Sequence, residues 1–93
     1  MSNWDNETWD RAWSMAACLK DTAVEVARTT TGIERFETLQ GVRSAAVTLQ
    51  ISILNEEQVG SQLFEDATKM IDEASAFISG ILAAAVHNID MSQ

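Results

Sequence analysis

The chain has 93 residues, 46% of them hydrophobic, with four glycines and no proline. It is long enough for one packed domain, too apolar for a disordered chain, and free of the usual breakers of long helices. Fourteen acids against six bases leave a net charge of −8, which argues against nucleic acid and anionic membrane as partners because both repel such a surface.

The charge is uneven. Residues 1–54 carry seven acids and five bases, whereas residues 55–93 carry seven acids and only Lys69. The net acidity therefore belongs mainly to the last helix and tail, and a partner with a basic surface is the one that charge favours. A lone cysteine, Cys18, makes no internal disulfide, and no basic and apolar leader opens the chain, so a cytoplasmic location is expected.

The first helix is predicted over residues 6–28. Trp9, Ala12, Trp13, Ala16, Leu19, Ala23, Val26 and Ala27 recur at helical spacing along one face. Glu7, Asp10, Arg11, Ser14, Asp21, Glu25 and Arg28 take the opposite face. Asp5 would break the stripe inside the helix and suits the N-cap, where its carboxylate accepts a free backbone N–H. Trp4, just outside, can fold onto Trp9 as a hydrophobic staple. Trp9 and Trp13 are expected in the core and Trp4 at the surface. All three are candidate partner-binding residues, since tryptophan is enriched at interface hot spots.

Thr29, Thr30, Thr31 and Gly32 mark the first break, and Thr31 with Glu34 has the form of a capping box for a second helix over 32–54. Its apolar positions, Ile33, Phe36, Leu39, Val42, Ala46, Val47, Leu49, Ile51, Ile53 and Leu54, spread over more than half the circumference. Such a helix should touch two or more neighbours and sit at the centre. Gly41, Ser44, Thr48 and Ser52 form a narrow face of small residues that would let another helix approach. Arg43 and Gln50 project from the wide apolar face. They read as a snorkelling stem or a hydrogen-bonded pair within a dimer, or else as polar elements of a pocket.

Two signals compete for the second break. Asn55 as N-cap, with Glu56, Glu57 and Gln58 in the first turn and a Leu54–Val59 staple, starts a third helix at 56. Gly60 and Ser61 would end the second helix later. The first signal is the more complete and predicts a helix over 56–88. Its stripe is Val59, Leu63, Phe64, Ala67, Met70, Ile71, Ala74, Phe77, Ile78, Ile81, Leu82 and Ala85, and its outer face is Glu65, Lys69, Asp72 and Glu73. The nearly apolar run from Ala74 to Val86 is shorter than the roughly 20 residues that span a bilayer and reads as a buried helix.

A third helix of this length measures roughly 48 Å at 1.5 Å per residue, while a compact chain of this size has a radius of gyration near about 12 Å. The expected fold is therefore all-α: one helical domain over 1–93, either an elongated three-helix bundle or a helical hairpin with a docked N-terminal helix, completed by dimerisation. Arg43, Val47, Gln50, Ile51 and Leu54 are the candidate self-association residues, because something must cover the excess apolar width of the second helix.

Chemistry is sparse. His87 is the only histidine and is expected in the last helical turn, where a cation suits the helix C-terminus. Cys18 falls on the polar side of the first helix. The carboxylate pairs Glu56/Glu57, Glu65/Asp66 and Asp72/Glu73 read as a solvated face, since bundle metal sites need inward Glu with Glu-x-x-His. No catalytic residue, metal or cofactor is expected. The sequence points to a non-enzymatic interaction module of adaptor, regulator or inhibitor type. It would form a homodimer and bind another protein through Trp4, Trp9, Trp13, Glu65, Asp72 and Glu73. The alternative is a small-molecule sensor with a pocket between the first two helices, near Trp9, Trp13, Arg43 and Gln50.

Overall fold

The structure, a computed structural model, describes residues 4–57 and 60–92. Three helices pack together: α1 (Asn6–Thr29), α2 (Gly32–Asn55) and α3 (Gln62–Ser92). No strand occurs among the described residues. The molecule is a rod of 51 × 18 × 15 Å with a radius of gyration of 14.9 Å, and its long dimension follows from α3, whose 31 residues extend about 46 Å.

The start of α1 is fixed by side chains. Asp5 is the N-cap, accepting from the Thr8 amide at 2.8 Å and from the Thr8 hydroxyl at 2.7 Å. Trp4 folds back so that its ring lies 4.8 Å from that of Trp9, edge to face. The Thr8 hydroxyl and then the Thr8 amide hold the Asp5 carboxyl below its ordinary value of 3.8. A carboxyl whose folded pKa is depressed stabilises the fold above its unfolded pKa, and loses that contribution as pH falls through the folded value. Asp5→Asn keeps the capping oxygen and cannot titrate. Its melting temperature should therefore fall less steeply than the wild type's below about pH 4, as thermal melts across an acid series would show.

The link to α2 departs from expectation. Thr31 is the N-cap of α2 but makes no side-chain capping bond, so the Thr31–Glu34 capping box does not form. Arg35 organises this corner instead. Its Nη2 donates to the Ala27 carbonyl at 2.6 Å and also to the Thr30 carbonyl, two acceptors left free where α1 ends. The Thr30 hydroxyl donates to the Val26 carbonyl at 2.6 Å, and Gly32 takes the left-handed φ of 61° that the reversal requires. Arg35→Met keeps the stem and removes both charge-assisted bonds. It should cost about 1–3 kcal/mol in urea unfolding, with Arg35→Lys recovering part of the loss.

At the second turn neither signal holds as read: α2 ends at Asn55, close to the expected 54 and not later at Gly60, while the third helix starts later than expected. Asn55 is the last residue of α2, not an N-cap. The chain unwinds through amide-to-carbonyl bonds from Glu56 to Ile53 and from Glu57 to Leu54, and Gly60 turns with φ 81°. Ser61 then caps α3, its Oγ accepting from the Phe64 amide at 3.3 Å. The third helix thus begins at Gln62 rather than 56. Gln58 and Val59 lie outside the described residues. At the other end α3 continues past His87 to Ser92, so His87 is not in the last turn.

Pairings along the rod set its topology. Trp9 meets Phe64, with ring centroids 5.9 Å apart, and Lys20 lies over the Phe77 ring, so α1 and α3 run parallel. Gln50 reaches Asp72, while Phe36 and Leu82 share a groove, so α2 runs antiparallel to α3. The central helix is α3, which packs equally against the other two, whereas α1 and α2 meet less extensively. The expectation that the second helix would be central is therefore corrected. Leu39, Ile53, Ile71 and Ile78 fill the core between layers of buried alanine at Ala16, Ala23, Ala46, Ala67 and Ala74. The small side chains let the three backbones approach and keep the rod thin. Only one face of the Ala74–Val86 run is buried, with Ala76, Ser79, Gly80, Ala83 and Ala84 exposed. Its reading as a buried helix holds for that face alone.

Candidate interaction surfaces

Three surfaces gather the residues singled out by sequence. The first is the aromatic end. Trp9 is buried at 2% exposure, whereas Trp13 is 43% exposed and Trp4 is half-buried against Trp9. The expected order of exposure among the tryptophans is thus reversed for Trp4 and Trp13. Trp13 sits at the margin of the α1 stripe, one residue beyond Ala12, which is buried at 3% exposure. Trp9 and Trp13 line a groove of about 270 Å³ with Asp10, Leu63 and Asp66. Asp10 and Asp66 belong to no sequence motif. They become visible as groove residues only once α1 and α3 are known to run in parallel.

The second surface is the outer side of α3. Glu65, Asp72 and Glu73 are exposed, as is Lys69 between them. Asp72 is partly committed, its Oδ1 accepting from Gln50 Nε2 at 3.0 Å across to α2. Gln50 therefore pairs within the chain.

The third is the free side of α2. Val47, Ile51 and Leu54 are 42%, 53% and 54% exposed, and Ile33 is 63% exposed. Arg43 is exposed beside them and borders a groove of about 330 Å³ shared with Phe36, Gln40, Leu82 and Val86. No helix covers the small residues Gly41, Ser44 and Thr48, which lie in the open. The Thr48 and Ser52 hydroxyls bond back to the Ser44 and Thr48 carbonyls of their own helix. Trp9 and Trp13 border α3, and Arg43 and Gln50 meet α3 on another side. The four residues considered for a pocket between the first two helices are thus divided between separate surfaces.

Cys18 is free and exposed on α1, and His87 is exposed on α3. Among the described residues no group of three His, Cys, Asp or Glu side chains converges as a metal site would require. By length and composition the stretch Gln62–His87 could cross a bilayer, with an apolar window of mean hydropathy 1.3, 28% of it buried in the bundle. That stretch is longer than the Ala74–Val86 run, although a core helix of a soluble bundle can have the same composition. Comparison with known protein families, characterised proteins and solved structures finds no match to the chain.

Proposed function

We propose that the protein is a non-enzymatic interaction module of adaptor, regulator or inhibitor type, acting in the cytoplasm. It pairs with a second copy through α2 and presents its acidic, tryptophan-bearing side to another protein. The observation that carries this reading is the row of exposed apolar side chains on α2, Ile33, Val47, Ile51 and Leu54. Val47, Ile51 and Leu54 cluster within two turns on one side of the helix, with Ile33 apart near its start, and clustered apolar exposure on a small protein marks a contact site. Charge supports a second copy as the occupant. Two chains of net charge −8 repel each other, yet residues 38–55 contain Arg43 and no acid, so this part of α2 can meet a second copy at little electrostatic cost. Sedimentation equilibrium over a wide concentration range tests the reading: a mass of two chains supports it, and one chain at the highest concentration overturns it.

A small-molecule sensor is the second reading. It is favoured by the groove between α2 and α3, where Arg43 and Gln40 stand beside Phe36 and Leu82. Native mass spectrometry of the purified protein separates the two, because a sensor retains, or is thermally stabilised by, a small ligand.

A further inference from the structure

We propose that the groove between α1 and α3 at the aromatic end seats a basic residue, arginine or lysine, of a partner polypeptide. This rests on the reading of the protein as an interaction module and names what the partner brings to it. The groove's volume of about 270 Å³ lies below the roughly 300–1,000 Å³ of small-molecule sites and suits a single long side chain. Its walls match such a side chain from stem to tip. Leu63 and the part-exposed indole of Trp13 offer apolar and aromatic surface to the stem and its charge, with the buried Trp9 behind them, while Asp10 and Asp66 are exposed beside them as counter-charges.

No cation of the chain itself occupies this position among the described residues. Arg11 is paired with Glu7 at 2.7 Å, Lys20 lies over Phe77, and Arg35 is bound to the carbonyls that end α1. Asp66 accepts only from the neutral amide of Gln62, at 2.8 Å. The exposed wall of the groove is the second observation: Trp13 keeps 43% of its surface in water beside Leu63 and both carboxylates. Such a lining calls for a ligand that carries a cation on an apolar stem. A basic residue in peptide linkage is the simplest such ligand.

The test is a titration with N-acetyl-arginine amide, followed through the tryptophan indole N–H resonances. Saturable shifts at Trp9 and Trp13 are expected, weakening as salt rises because the rim carboxylates are exposed. N-acetyl-norleucine amide, which has the carbonyl but no charge, should bind about tenfold more weakly. Trp13→Ala and the double variant Asp10→Asn/Asp66→Asn should each weaken the arginine probe about tenfold, with far-UV circular dichroism unchanged. Equal response to the two probes, retention of binding in both variants, or no shift at all overturns the proposal. The groove is formed by α1 and α3 alone, so these outcomes are independent of the mass that tests pairing through α2.

Discussion

Trp9→Ala should destabilise the bundle by about 3–5 kcal/mol, whereas Trp13→Ala should cost about 1 kcal/mol or less. The two residues lie on one helix, four positions apart, and differ in what surrounds them. Trp9 is held between Trp4 at 4.8 Å and Phe64 at 5.9 Å, both edge to face. Removing it opens a cavity and dissolves two ring contacts, each worth about 0.5–1.5 kcal/mol beyond burial. Trp13 already has 43% of its surface in water, and much of what its removal exposes is exposed before. A chain of this size has roughly 5–14 kcal/mol of stability in total, so the Trp9 variant should be partly unfolded at mild denaturant concentrations. Trp9→Phe refines the argument. It gives up ring volume but also removes the indole N–H that lacks an acceptor, an orphan that costs about 1–3 kcal/mol when buried. Its loss should therefore be well below that of the alanine variant. Urea midpoints followed by circular dichroism would rank the three.

The helix ends show how far local chemistry is legible. Asp5 and Trp4 announce the start of α1 because a cap and a staple are made by residues adjacent in sequence. The capping-box pattern at Thr31 is equally well formed, yet no bond results. Arg35, four residues on, ties the new helix to the end of the old one, a contact across two elements that no spacing rule contains. At the second turn Asn55, Glu56 and Glu57 are a sound start signal, but backbone geometry decides the matter. A reversal needs a residue at positive φ, and Gly60 supplies it.

Which face would be buried was legible, and which helix would be central was not. The α3 stripe contains Ala67, Ile71, Ala74, Ile78 and Leu82, all buried. The alternation of small and branched residues allows neighbours on both sides. The second helix has more apolar width, but width counts residues without saying what covers them. Leu39, Ala46, Leu49 and Ile53 meet the core, while Val47, Ile51 and Leu54 do not. The groove at Trp13 escaped the sequence for the same reason, since Asp66 approaches the tryptophans only through the packing of α3 on α1.

Val47→Glu combined with Ile51→Glu should convert a pair of chains into single chains without unfolding either. Both side chains are about half exposed. Full burial of such a residue is worth about 1.5–3 kcal/mol, so covering the remaining half contributes about 1 kcal/mol. A two-fold interface counts each residue twice, and the loss over four positions is then about 4 kcal/mol, on the order of a thousandfold in dissociation constant. Two added carboxylates per chain, facing two more across the axis, push in the same direction. The monomer should tolerate the change, since glutamate is at least as good a helix former as valine or isoleucine and neither position reaches the core. Melting distinguishes the two effects. A folded pair has a melting temperature that rises with protein concentration, and the double variant should melt at one temperature throughout with its helicity intact. Wild-type melting that is already independent of concentration would sink pairing through α2. A variant that remains paired would place the contact on another face, and the small apolar side of α3 around Ala76, Gly80 and Ala84 is the next surface to alter.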